Sequence, residues 1–129
     1  MYKIHRIPRY IFLGGIKLKI NKELLKGSTS MLVLNLLKEE NLYGYEMIKR
    51  LKEKSENIFE LKEGTLYPIL HALEEKELIT SYWDNTTGKN RKYYAITKKG
   101  KSELKEKQEE WKIFSDGINQ VLGGVSFAN

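Results

Sequence analysis

The sequence predicts a mainly helical α+β domain, and three stretches carry that prediction. Leu66, Ile69, Leu70 and Leu73 recur at i, i+3, i+4 and i+7, which is one face of an α-helix. Leu78 to Asp84 and Arg91 to Thr97 are rich in Ile, Thr, Tyr and Trp in rough alternation, with a polar, glycine-bearing segment between them, as in a β-hairpin. Trp111, Phe114, Ile118, Val121 and Leu122 then follow one another at helical steps, predicting a last helix with a single apolar stripe.

Composition narrows the rest. The chain has 129 residues, enough for one domain with a core of modest size. Cysteine is absent, which excludes disulfides and thiolate metal sites and fits a reducing cytoplasm. No apolar run approaches the length of a membrane span. The net charge of +6 favours a polyanionic partner. Four of the positive charges, Lys3, Arg6, Arg9 and Lys17, lie in a leader with no acid before Glu23.

That leader, residues 1–17, has no clear helical or strand period and contains Pro8 and Gly14-Gly15. Tyr10 to Leu13 is too brief for a secretion signal and lacks a small-residue cleavage site. Leu13-Gly14-Gly15-Ile16-Lys17 can be encoded by codons that spell a purine-rich ribosome-binding sequence, with Leu18 as a TTG start. Two readings stay open. Either the protein begins near Leu18 and the leader is untranslated, or the leader is a basic arm that contacts DNA or packs on a dimer. The first is favoured, and in both the segment is expected to be poorly ordered unless a partner covers it.

Asn21 can cap a helix starting at Lys22-Glu23. Its apolar pattern begins at Leu24 and Leu25 and resumes at Met31, Leu32, Val33, Leu34, Leu36 and Leu37, too apolar for one exposed face. Gly27-Ser28-Thr29-Ser30 permits a close helix contact or a slight bend, and Lys38 to Asn41 is a polar stop. Tyr43-Gly44-Tyr45 opens a second helix, with Tyr45, Ile48 and Leu51 as its apolar stripe. Ser55 to Lys62 connects, and Ile58, Phe59 and Leu61 suggest a short extended piece.

The third helix is expected to start at Gly64-Thr65, with the Thr65 hydroxyl as its cap and Pro68 tolerated close to the start. Opposite its leucines lie Gly64, Thr65, Pro68, His71, Ala72 and Glu75. Near the start that face is small, polar and uncluttered, the profile of a helix that slides into a groove of DNA. An ordinary core helix beside a hairpin would read similarly, so the flanks decide. Two helices joined by a short connector read as a helix-turn-helix variant. Asn85 to Asn90 is a strong turn composition, and the hairpin returns through Lys89, Asn90, Arg91 and Lys92. Cations on a loop beside a groove-reading helix suit phosphate contact, which is favoured over a merely solvated hairpin. Residues 18–97 thus read as a winged helix-turn-helix.

Thr97 is expected to cap the last helix, which occupies 98–122. Lys98, Lys99 and Lys101 in its first turns oppose the helix dipole, a small cost that an anionic partner there would offset. Each large apolar side chain of the stripe is worth about 1.5–3 kcal/mol when fully buried. The expected cover is the same stripe on a second copy, together with that copy's first helix, giving a twofold dimer. The interface would comprise Leu104, Trp111, Phe114, Ile118, Val121 and Leu122; the alternative is a helix folded back on its own domain. Gly123-Gly124 ends the helix, and the tail 123–129 is too short for further structure.

Little supports catalysis. His5 and His71 are the only histidines and lie on unrelated elements; His71 is expected to face solvent or a phosphate. No cluster has metal-ligand spacing, Gly14-Gly15 is no phosphate loop, and Ser28 and Ser30 have no nearby His. No enzyme, metal or cofactor is expected.

Glu63-Gly64-Thr65-Leu66-Tyr67-Pro68-Ile69-Leu70 resembles the signature of PadR-like transcriptional regulators. Tyr43-Gly44-Tyr45-Glu46-Met47-Ile48 upstream, and Arg91-Lys92-Tyr93-Tyr94-Ala95-Ile96-Thr97 followed by Gly100 downstream, do so too. The likeness covers Asn21 to Leu122 in order and spacing, and the single C-terminal helix resembles the compact branch of the family. The resemblance implies a cytoplasmic, dimeric repressor of a partly palindromic operator, often its own promoter and that of a neighbouring gene. It implies DNA contact through Tyr45, Thr65, Tyr67 and Pro68, and through Lys89, Arg91 and Lys92 of the wing. It also places Trp111 where multidrug-binding relatives carry an aromatic at the dimer interface that stacks flat ligands; simple packing at that seam is the favoured reading, a planar aromatic inducer the alternative, and release by a small molecule or a stress signal stays open. Two departures stand out: Glu77 where many relatives have Gly, and a wing tip without proline. The competing function is a winged-helix module that binds another protein, or merely dimerises, without specific DNA binding.

Overall fold

A computed structural model of the chain describes the backbone of residues 10–13, 16–19 and 22–123, and the side chains of residues 28–123. The elements are β1 (Tyr10–Leu13), β2 (Ile16–Lys19), α1 (Lys22–Glu39), β3 (Leu42–Tyr43), α2 (Gly44–Lys54), α3 (Glu63–Glu75), β4 (Ile79–Asp84), β5 (Arg91–Ile96) and α4 (Lys98–Val121). β1 and β2 pair antiparallel, Tyr10 opposite Lys19 and Leu13 opposite Ile16. This hairpin crosses the boundary set at residue 17, where the sequence shows no strand period. The rest of the leader, the Asn21 cap and the tail beyond Gly123 lie outside the described residues.

α1 runs unbroken through Gly27 to Ser30. Val33, Leu34, Leu36 and Leu37 are all buried, so its second half is enclosed on more than one side. They share one core with Leu42, Met47, Leu51, Leu61, Leu66, Leu70, Leu73, Leu78, Ile79, Tyr94 and Leu104. The second sheet has the order β3-β5-β4. Leu42 faces Tyr94, and β4 pairs β5 from Ile79–Ile96 out to Asp84–Arg91. β3 is only two residues long, too short for any periodicity to announce it.

The expected stripe of α2 is corrected. Gly44, Met47 and Leu51 are its buried residues, whereas Tyr45 is 63% exposed. Gly44 lies against the side chain of Tyr67 on α3, so the helices approach through a glycine, and Met47 is buried in the core. The connector is no extended piece. Glu56 and Asn57 take positive φ angles of 51° and 74°, and the Asn57 amide donates to the Lys52 carbonyl at 2.8 Å. Ser55 Oγ donates to the Leu51 carbonyl at 2.6 Å and accepts from the Phe59 amide at 2.9 Å. A compact left-handed stop thus replaces the strand, and Phe59 and Leu61 return to the core.

α3 begins at Glu63, earlier than expected. The Lys62 carbonyl accepts from the amides of Thr65 and Leu66, each at 3.0 Å, and the Thr65 hydroxyl caps nothing. Pro68 therefore sits in the second turn. It lacks the N–H that would bond the Gly64 carbonyl, on an exposed face where water can serve that acceptor. At the exit, Glu77 has φ 62°, the Leu78 amide donates to the Leu73 carbonyl at 2.9 Å, and Leu73 and Leu78 are both buried. This is a Schellman stop with glutamate in the left-handed position.

Thr97 caps α4 as expected, its Oγ1 accepting from the Gly100 amide at 2.9 Å while donating to the Glu77 carbonyl at 2.8 Å. Gly100 packs so tightly that a Cβ there would overlap the Leu78 carbonyl oxygen and approach Ile96 Cγ1 to 2.8 Å. Leu104 corrects the expected dimer interface. At 1% exposure it is filled in by its own protomer and belongs to the core. The first half of α4 is thereby anchored to the domain, and the stripe from Trp111 onward extends past that core.

Candidate nucleic-acid interface

α3 divides cleanly. Leu66, Leu70 and Leu73 are buried, with Ile69 half-buried, while Gly64, Thr65, Pro68, His71, Ala72 and Glu75 are all exposed. An added Cβ at Gly64 meets nothing within 4 Å. The start of the helix therefore carries almost no side-chain bulk, and a base edge could approach it closely. Tyr67 differs from its neighbours: it is half-buried against the core and its ring abuts Gly44. It is at least as much a spacer between α2 and α3 as a residue facing outward. Tyr45, at the start of α2, is free at the surface.

The wing is the β4–β5 hairpin. Asp84 Oδ1 accepts from the Thr86 amide at 2.8 Å, a bond that holds its carboxyl below the usual carboxylate range. The Gly88 amide donates to the Asn85 carbonyl at 3.0 Å, with Gly88 at φ 91°, so the proline-free tip is still a closed turn. Side chains alternate between the two faces. On one face Ser81 Oγ donates to Glu74 of α3 at 2.6 Å, opposite buried Tyr94. Burial pushes the Tyr94 phenol above its ordinary value, with Tyr67 and Glu74 nearby adding to the effect. This is the face turned to α3, and it continues outward as Trp83 opposite Lys92.

The other face is an aromatic ladder. Tyr43 meets Tyr93 edge-on at 5.4 Å between centroids, and Tyr82 stacks on Tyr93 at 5.8 Å. The Arg91 guanidinium lies 4.6 Å from the centre of the Tyr43 ring, and its Nη1 donates to Thr87 Oγ1 at 3.2 Å. The hairpin thus separates two expected contacts: Lys92 lies on the face that Ser81 bonds to α3, and Arg91 on the opposite face.

Charge is distributed to match. On α2, Arg50 bonds Glu40 at 3.1 Å and Glu46 at 3.3 Å, pairings that raise its already high pKa. Lys54 pairs with Glu39 and Lys52 with Glu60. Lys62, at the start of α3, and Lys89 and Lys92 of the wing have no carboxylate partner among the described residues, nor do Lys98, Lys99 and Lys101 at the start of α4. Sequence reasoning passed over Lys62, whose only signal was its place just before the recognition helix.

At the other end, Trp111, Phe114, Ile118, Val121 and Leu122 are between 41% and 86% exposed. Trp111 and Phe114 lie 6.2 Å apart between ring centroids. Ile113, also exposed, falls outside the stripe. Among the described residues no helix is long and apolar enough to cross a membrane, and no three His, Cys, Asp or Glu side chains gather to hold a metal ion.

Residues 33–106 match the transcriptional regulator PadR-like family. An uncharacterized protein of Lysinibacillus sphaericus is 35% identical over 107 residues, 82% of this chain and 98% of the relative. A transcriptional regulator from Clostridium thermocellum superposes with a TM-score of 0.72 at 36% identity, covering 77% of this chain and 97% of the other. A PadR family transcription regulator from Clostridium difficile superposes with a TM-score of 0.68 at 40% identity, covering 75% of this chain and all of the other (100%).

Proposed function

The chain belongs to the PadR-like family of transcriptional regulators, a family of regulators rather than enzymes, and we propose that this member is a dimeric cytoplasmic repressor of its own and a neighbouring operon. Its partner on this reading is double-stranded operator DNA. One observation carries it: α3 is buried along its leucines yet leaves Gly64, Thr65, Pro68 and His71 bare beside a wing whose Lys89 and Lys92 lack carboxylate partners among the described residues. A helix that served only the core would gain nothing from a face stripped of bulk. The start of the helix enters the major groove, and the wing cations hold phosphates. Tyr45 joins from α2, and Tyr67 contributes through its outer edge.

Dimerisation follows from the exposed stripe on α4. Two copies joined there present two recognition helices to half-sites one helical turn apart, which is why the operator is partly palindromic. On the same reading Trp111 and its counterpart face each other across the seam, where a planar aromatic inducer would stack and shift the spacing of the reading heads.

The test is binding of a labelled duplex from the region upstream of the protein's own gene. Repression requires specific affinity whose logarithm falls linearly with the logarithm of salt concentration. A protein that leaves every upstream fragment unbound would instead be an interaction module.

A further inference from the structure

The wing carries an exposed tryptophan that none of the contacts above uses. Trp83 is 65% exposed. Strand alternation places it on the hairpin face that also bears Ser81, the residue bonded to Glu74 of the recognition helix. Lys92 stands directly opposite on β5 and shares that face. The Lys92 ammonium lies 5.8 Å from the centre of the buried Tyr94 ring, at the edge of the core, and has no carboxylate partner among the described residues. The acid next in sequence, Asp84, points to the opposite face and is held by the Thr86 amide. An indole and a lysine thus stand opposite one another on the hairpin face whose inner end, at Ser81, is bonded to α3.

We propose that Trp83 and Lys92 form one clamp on a sugar–phosphate strand of duplex DNA. The proposal rests on the DNA-binding reading above. Indole Nε1–H is a donor only and phosphate oxygens are acceptors only, so the two match without a competing pairing. The ring body lies against the apolar side of a deoxyribose while its N–H donates to one phosphate, and the Lys92 ammonium neutralises the neighbouring phosphate. A protein partner would also cover an indole, but the uncompensated cation beside it selects a polyanion. Such a contact fixes register and adds affinity without reading bases.

The experiment follows operator binding by anisotropy of a labelled upstream duplex while recording tryptophan emission. The chain has two tryptophans, so in Trp83→Phe only Trp111 reports. Saturating duplex is expected to change the emission of the wild type clearly more than that of Trp83→Phe. Trp83→Ala is expected to bind about tenfold more weakly with an unaltered salt slope. Trp83→Phe, which keeps a ring but loses the N–H, should fall between the two. Lys92→Ala should reduce the salt slope by about one per protomer. Wild-type affinity in Trp83→Ala, or an emission change in Trp83→Phe as large as the wild type's, would overturn the clamp while DNA binding itself stood. Failure of the wild type to bind any duplex would overturn both readings together.

Discussion

The ring of Tyr67 occupies the space that a side chain at Gly44 would need. A Cβ at residue 44 would overlap Tyr67 Oη and come within 2.8 Å of its Cζ. Tyr67 is thereby trapped between the recognition helix and α2, and the angle between the two helices depends on the absence of one methyl group. Gly44→Ala is expected to cost about 1–3 kcal/mol by overpacking, read as a lowered denaturant midpoint. Tyr67→Phe removes the overlapping oxygen, so the double variant should recover part of the loss. Equal stability of Gly44→Ala and wild type would dismiss the contact.

Glycine substitutions on α3 and α4 should separate reading from folding. Gly64→Ala adds a methyl group to open space on an exposed helix, so it should stabilise by up to about 1 kcal/mol. The same methyl stands where DNA must approach, so operator affinity should fall. Gly100→Ala drives its methyl into the Leu78 carbonyl and should destabilise strongly. A Gly64→Ala protein that is more stable and binds as well as wild type would place DNA elsewhere.

Glu77 adopts φ 62°, a conformation that costs an L-residue about 1–2 kcal/mol. Glu77→Gly relieves it, less the extra freedom that glycine brings to the unfolded chain. A net gain of about 0.5–1 kcal/mol, or roughly 3 °C in Tm, is expected, with DNA affinity unchanged. Calorimetry decides, and a lowered Tm would contradict the left-handed exit.

Several of these features were legible beforehand and others were not, for identifiable reasons. Leu66, Leu70 and Leu73 declare the buried side of α3 because two turns of consistent i, i+4, i+7 spacing leave no alternative period. Thr97 declared the last helix because it precedes a helical run and its hydroxyl can reach the third amide. The start of α3 was misplaced because Thr65 looks like a cap, while the Lys62 carbonyl performs that task with no side-chain signature. The inner side of α2 was misjudged because Tyr45 and Met47 are both apolar, and only the close approach at Gly44 selects methionine for the core. A lone leucine in a charged half-helix says nothing about which neighbour covers it, so Leu104 reads from the sequence as part of the dimer stripe. The opposed directions of Arg91 and Lys92 follow from strand alternation, but the side facing α3 needed the register.

The wing turn should respond to acid. Its Asp84 carboxyl has a folded pKa below the unfolded value because the Thr86 amide donates to it. A depressed acid contributes stability above its unfolded pKa of about 4 and loses it as pH falls through the lower folded value. The Thr86 amide should therefore keep its exchange protection at neutral pH and lose it on acidification below about pH 4. Asp84→Asn should show the weaker protection at all pH values, and a pH-independent wild-type amide would refute the cap.

Ile118 lies within the exposed stripe of α4 and supports no contact that the protomer's own core needs. Ile118→Asp should leave protomer folding intact, since the residue is exposed before assembly. It should yield single protomers in solution and weaken operator binding by about 100-fold or more, because the second half-site loses its linked partner. A variant that remains dimeric would shift the interface off this stripe.

Sedimentation of a fluorescent upstream duplex with the full chain, repeated across a salt series, tests the dimeric reading head most directly. Two protomers moving with each duplex, with log affinity falling linearly against log salt, is the predicted result. Single protomers at micromolar concentration, sedimenting apart from the duplex at every salt, would contradict it.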